Sequence, residues 1–261
     1  HHSTFFLILA FYSLILAIKI KKYSYYFIIP SLFSLSFLSK QTPAAYGLIF
    51  MLISILLICY LDKKNAKKIL LFSIIGSFIA IILLGLFLLI FGIDFSNFLT
   101  QYLFFAGSLG DYRFSDYQFN ILDEILNFKY LFYFIIILLV IGFNIILKKS
   151  TKKDDFFIII ISIFLVCSLV IHQIMTLNQN YIFFLIPYLC AITHIFYQKS
   201  FSKDYLLIFS ILLCIFSVTK FHLRFNEHRK FNELEKVDIS KAIDAKKLSK
   251  SLKGLKWITF K

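Results

Sequence analysis

The stretch Ser36-Phe37-Leu38-Ser39-Lys40-Gln41-Thr42-Pro43 decides the fold of this chain. It lies inside an apolar run that extends from Ser24 to Leu61. A lysine between two hydrophobic segments is costly unless it sits at a membrane–water boundary or faces an acidic partner. Pro43 cannot continue a helix that enters from Leu38. The four residues Lys40-Gln41-Thr42-Pro43 therefore predict a polar, cationic tip joining two helices in a tight hairpin.

The rest of the chain agrees with a membrane setting. Of its 261 residues 60% are apolar and 34 are phenylalanine, with a mean hydropathy of +0.83; soluble domains sit nearer about 45–50% apolar. The expected fold class is an all-α polytopic integral membrane protein. About eight transmembrane helices are expected, at Thr4–Ile18, Ser24–Ser39, Ala44–Leu61, Ile69–Ile93, Tyr130–Leu147, Phe156–Ile171, Tyr181–Tyr197 and Tyr205–Val218. Several fall short of the ~20 residues that cross a bilayer upright, and flanking Tyr, Ser and Lys extend them to the interface. Cys59, Cys167, Cys190 and Cys214 all lie in apolar runs without metal-ligand spacing and read as small buried hydrophobes. The chain opens at His1-His2-Ser3 without an initiator methionine and reads as an internal fragment of a longer protein.

Basic residues set the expected orientation. The first, third, fifth and seventh loops hold 13 lysines, whereas the second, fourth and sixth hold only Lys40, Arg113 and Lys129. The odd loops are then cytoplasmic. Merging Ser24–Leu61 into a single span would invert this bias to 5 against 10, which favours the hairpin. The net charge of +14 is thus an orientation signal and does not imply nucleic acid. Residues 1–219 form the expected transmembrane domain. Residues 220–261 form a soluble, basic extracytoplasmic tail, the start of a truncated segment, which could equally rest on anionic lipid. In that tail Ala242–Leu255 has loose helical spacing, with Leu248, Leu252 and Leu255 on one face and Gly254 as a terminator.

Side chains with chemical potential gather on the expected outer side: Lys40, Gln41 and Thr42 at the tip, His172, Gln173, Asn178 and Gln179 in the sixth loop, and the long fourth loop, 94–129. A long loop among short ones usually has a function. Its Phe98–Leu109 part is expected to be a short interfacial helix. Arg113 suits a phosphate or carboxylate because its fork binds two oxygens. Lys40 would meet phosphate as a point charge. The same Arg113 could instead pair with Asp111 or Asp116 and hold the loop together. His172 could be a base, a ligand or a hydrogen-bonding anchor. No nucleotide-binding or hydrolase motif occurs.

At these residues the chain resembles a family. Ser-Phe-Leu-Ser-Lys40-Gln41-Thr42 resembles a stretch of the GT-C polytopic membrane glycosyltransferases, which include the protein mannosyltransferase and aminoarabinose transferase relatives and the bacterial RgtA/B/C/D-like group. Gln101-Tyr102 through Gly110-Asp111-Tyr112-Arg113, and His172-Gln173 through Ile186-Pro187, are similar to members of the same group. The resemblance implies a GT-C-like fold in a bacterial inner membrane, with a periplasmic active face. It implies transfer of a sugar from a polyprenyl-phosphate donor to a lipid or glycan acceptor. Lys40 and Gln41 would bind donor, with Arg113, His172 and Gln173 as further substrate contacts. The catalytic carboxylate of the family lies in a first outer loop, which would precede His1; Asp111 and Asp116 are the substitutes within this chain, and without one the fragment alone would be inactive. No cofactor is expected, and a divalent metal stays open. Two other readings compete: an O-antigen ligase or polymerase, and a transporter or flippase. The latter calls for charged or broken helices near the bilayer midplane, which these spans lack.

Overall fold

The computed structural model describes residues 2–105, 107, 120–147, 153–176, 184–201, 205–223, 240, 242–247, 250, 253–254 and 256–257. A helix occupies each of the eight apolar segments: α1 (His2–Ile20), α2 (Ser24–Ser39), α3 (Gln41–Leu61), α4 (Lys63–Ile90), α7 (Lys129–Leu147), α8 (Lys153–Thr176), α9 (Leu185–Ser200) and α10 (Tyr205–Leu223). Between α4 and α7 lie the short α5 (Phe95–Phe98), a π-helical turn over Leu99–Phe104 that continues it, and α6 (Ile121–Asn127). The class is all-α. Among the described residues five helices, α1, α3, α4, α7 and α8, are long and apolar enough to cross a membrane.

The hairpin is tighter than the sequence suggests. Only Lys40 leaves the helical conformation, with φ −168° and ψ 125°, and its N–H still donates to the Ser36 carbonyl at 3.0 Å. Gln41, Thr42 and Pro43 are not part of an open tip; they form the first turn of α3. The reason is the missing proline donor. N–H groups in a helix's first turn have no intrahelical acceptor, so Pro43 removes nothing there. The chain then doubles back, because Tyr26 near the start of α2 and Ile58 and Leu61 at the end of α3 line one common cavity.

Packing arranges the helices around α8. It contacts α1, α3, α7 and α9, and 72% of its apolar window is buried. α4 lies at the periphery against α2 and α3, with 17% buried. Lipid offers helices no hydrophobic incentive to associate, so close fit and interhelical hydrogen bonds hold such bundles together. Both are present. Gly47 of α3 lies against the Leu7 side chain, and Gly76 of α4 lies against the Phe27 carbonyl of α2. The Ser36 hydroxyl donates to the Ser3 carbonyl at 2.8 Å, and the Ser3 hydroxyl donates to the Lys40 carbonyl at 2.9 Å. On the other side the Tyr188 hydroxyl meets Ser162 Oγ at 3.0 Å. Leu7, Phe11, Leu14, Leu131, Phe134, Leu138, Ile159, Val166 and Leu169 form the fully buried core.

α1 ends at an unusual residue. Lys21 has φ 59°, and its N–H donates to the Ala17 carbonyl at 3.0 Å. This left-handed closing position normally goes to glycine, and a side chain there costs on the order of 1–2 kcal/mol.

The chain divides into two units, His1–Val218 and Thr219–Lys261. Within the second, β1 (Ile243–Asp244) pairs antiparallel with β2 (Lys256–Trp257), with Ile243 opposite Trp257 and Asp244 opposite Lys256. The helix expected over Ala242–Leu255 is therefore corrected to a small ladder. Asp244 Oδ1 accepts the Lys246 N–H at 3.0 Å and opens a turn, and Gly254, at φ 93°, sits in the turn that leads to β2. Leu248, Leu252 and Leu255 lie outside the described residues.

Candidate substrate site at the hairpin end

The start of α3 and the end of α8 meet at the hairpin end of the bundle. The Tyr46 and His172 rings lie 6.4 Å apart, and deeper in the pair Phe50 and Phe164 lie 5.4 Å apart. Tyr46 is one turn beyond Thr42, on the same face of α3. Lys40 is exposed, has no carboxylate partner among the described residues, and its charge reaches the His172 ring. His172 is fully buried and Gln173 is 3% exposed.

Two buried polar atoms stand out here. Thr42 Oγ1 and Gln173 Oε1 make no hydrogen bond among the described residues. A buried polar atom left unsatisfied costs about 1–3 kcal/mol, so each would gain from a ligand hydroxyl or amide. The same end of the bundle offers an exposed cation, a buried amide acceptor, a buried hydroxyl and two aromatic rings. Such a set can hold an anionic, hydroxyl-rich ligand.

A second layer comes from the α5–π segment. The Gln41 side-chain amide donates to the Tyr102 carbonyl at 3.0 Å. The Tyr102 hydroxyl donates to the carbonyls of Phe37 at 2.8 Å and Leu38 at 2.6 Å, which are freed because α2 ends there. The Tyr102 ring stacks on Phe98 at 5.3 Å and meets Phe37 edge-on at 5.7 Å. Burial raises the Tyr102 phenol above its usual range. Asp94 caps α5 by accepting the Asn97 N–H at 2.9 Å. The short helix expected over Phe98–Leu109 is thus present as far as it is described.

Of the residues singled out from sequence, Lys40, Gln41, His172 and Gln173 come together at one end of the bundle. Gln41 serves the architecture, since its side chain ties down Tyr102. Asp111, Arg113, Asp116, Asn178 and Gln179 lie outside the described residues. Sequence reasoning missed Tyr46, Ser3 and Ser36. Tyr46 could have been found from its one-turn spacing to Thr42; a lone serine in an apolar run carries no such signal. Among the described residues no three His, Cys, Asp or Glu side chains group to hold a metal.

The fold and this site define an all-α protein with several membrane-length helices and a cluster of polar side chains at the hairpin end. Comparison with protein-family models, with curated proteins and with solved structures finds no match to the chain.

Proposed function

We propose that this chain is the membrane part of a GT-C-type glycosyltransferase, with eight spans, a tail on the outer side and an active face toward the periplasm of a bacterial inner membrane. The donor is a polyprenyl-phosphate-linked sugar and the acceptor a lipid or glycan. The observation that carries the reading is the conjunction at the hairpin end: an exposed Lys40 and two buried acceptors, Thr42 Oγ1 and Gln173 Oε1, that have no partner among the described residues.

In this reading Lys40 meets the lipid phosphate, whose negative charge grows as the sugar departs. Gln173 and Thr42 accept sugar hydroxyls and orient the anomeric carbon. Tyr46 and His172 flank them with their rings. A carboxylate deprotonates the acceptor hydroxyl; within this chain Asp111 and Asp116 are the candidates. The test is transfer of radiolabelled sugar from polyprenyl phosphate in membranes that contain the complete gene product, before and after Lys40→Ala. Label that stays on the lipid only in the variant supports the reading. Equal transfer by both, or none by the wild type with any polyprenyl-phosphate sugar, overturns it.

A further inference from the structure

The opposite, lysine-rich end of the bundle carries a second cavity that the transfer reading does not use. It has a volume of about 260 Å³ and lies where α1 and α3 end and α2, α4 and α8 begin. Asp62, Asp154, Lys21, Asn65, Tyr23 and Tyr26 supply its polar lining. Ile58, Leu61, Ile69 and Phe157 contribute apolar wall.

The polar groups leave specific capacity unfilled. Two carboxylates against Lys21 leave the lining itself one negative charge in excess, with Lys68 Nζ outside it, 5.7 Å from the centre of the Tyr23 ring. Lys21 Nζ reaches Asp154 only at 3.8 Å, with the lysine 77% exposed, so this pair is weak. Asn65 Nδ2 donates to Asp62 Oδ2 at 2.9 Å, and Asn65 Oδ1 accepts the Tyr23 hydroxyl at 2.8 Å. That chain positions Asp62 and leaves its Oδ1 without a donor among the described residues. Tyr26 is 4% exposed, yet its hydroxyl has no hydrogen-bond partner among the described residues. That hydroxyl lies within electrostatic reach of both Asp62 and Asp154. The Tyr26 ring is buried while its unpartnered hydroxyl opens on the acidic cavity, which points to a ligand that completes it.

Two ligand classes fit negative excess: a metal ion or an organic cation. A metal site needs several close oxygen ligands, and no group of three acidic, histidine or cysteine side chains occurs among the described residues. The tyrosines and the aliphatic wall instead suit an alkylammonium, whose N–H groups bond carboxylates and whose carbons need apolar contact. We infer that this cavity binds a primary ammonium between Asp62 and Asp154, with the Tyr26 hydroxyl as a third contact. The ammonium comes either from a soluble amine or from an ethanolamine lipid headgroup, because the cavity opens among the ends of helices that read as membrane spans.

The test uses the full chain in phosphatidylcholine nanodiscs, titrated with n-propylamine at neutral pH while the thermal midpoint is followed. Propanol and magnesium chloride serve as parallel probes. The expected result is a saturable rise of several degrees with propylamine alone, absent in Asp62→Asn and reduced in Tyr26→Phe. A parallel set of nanodiscs contains phosphatidylethanolamine. A midpoint already raised there, with no further response to propylamine, assigns the lipid headgroup; an undiminished response assigns a soluble amine. No response to propylamine together with equal midpoints in the two lipids overturns the inference. So does a response to magnesium alone, or an equal propylamine response in Tyr26→Phe. Should Asp62→Asn not fold, the wild type and Tyr26→Phe decide the matter. None of these readouts depends on sugar transfer.

Discussion

The Gln41 side-chain amide donates to the Tyr102 carbonyl at 3.0 Å, while the Tyr102 hydroxyl returns to the chain just before Lys40 at Phe37 and Leu38. Each residue satisfies backbone or side-chain groups that the hairpin leaves open. The loop segment and the hairpin therefore stand or fall together.

Tyr102→Phe removes the one hydroxyl proton shared between the Phe37 and Leu38 carbonyls and keeps the ring contacts. Such a hydrogen bond is worth about 1 kcal/mol net. The expected outcome is faster amide exchange over residues 95–105 and little change in α7 or α8, read by exchange mass spectrometry.

Alkaline pH should do the same. Burial holds the Tyr102 phenol above its ordinary value. The protonated form is thus favoured by the folded state. Its contribution is complete below the phenol's ordinary pKa and is lost as pH rises through the elevated one. In an ultraviolet titration the late-ionising amplitude should be smaller by one tyrosine in Tyr102→Phe. Identical titration curves for the two proteins would rule out this buried phenol.

Lys40→Ala should lower sugar transfer roughly a hundredfold, the scale of losing one transition-state charge contact, without changing the amount of folded protein. Lys40 is exposed, and its backbone conformation is extended and open to any residue. Lys40→Arg should recover part of the activity. Rate assays and quantitative immunoblots of the same membranes separate the two effects.

Thr42→Val and Gln173→Leu remove buried polar atoms that have no partner among the described residues. Each should leave stability equal or raise it by about 1 kcal/mol while weakening donor binding. A fall in both thermal stability and donor affinity would instead identify these side chains as structural.

Gly76→Ala should separate α2 from α4, because the new Cβ would strike the Phe27 carbonyl and backbone cannot step aside as a side chain can. The expected loss is about 1–3 kcal/mol. Gly85→Ala, on the same helix with open space around it, is the control and should be neutral or stabilising by up to about 1 kcal/mol. Thermal unfolding of the two variants in one detergent gives the comparison.

Much of the helical layout was legible because a long apolar run leaves a chain few alternatives. The bounds of α2, Ser24–Ser39, coincide with the segment read from sequence, and the break falls at Lys40. The extent of the tip was not legible. Pro43 reads as a breaker, yet its consequence depends on whether it falls in the first turn of a helix or later. The tail misled in the opposite way: leucines at helical spacing outweighed Asp244 and Gly254, whose turns set up a ladder. The carboxylate cavity was invisible for a different reason. Asp62, just past the end of α3, and Asp154, in the first turn of α8, each sit among lysines far apart in sequence, and only the packing of α3 against α8 brings them to one space. At the hairpin end Lys40, His172 and Gln173 could be gathered by side of the membrane, whereas the serine contacts between α1 and α2 follow from helix rotation, which an almost uniformly apolar helix does not reveal.

The single extended residue between α2 and α3 has a consequence for depth. α2 has 16 residues and so measures about 24 Å, whereas the hydrocarbon slab of a bilayer is about 30 Å thick. A one-residue linker adds almost no reach. If α2 starts at one boundary, Lys40 arrives at the opposite boundary from below, and the lipid sheet must thin locally to meet it. On the proposed function, the phosphate of a polyprenyl donor would be met at that thinned boundary. The short arm of the hairpin would spare such a lipid the need to rise out of its leaflet, and the lysine would reach it without extending into water.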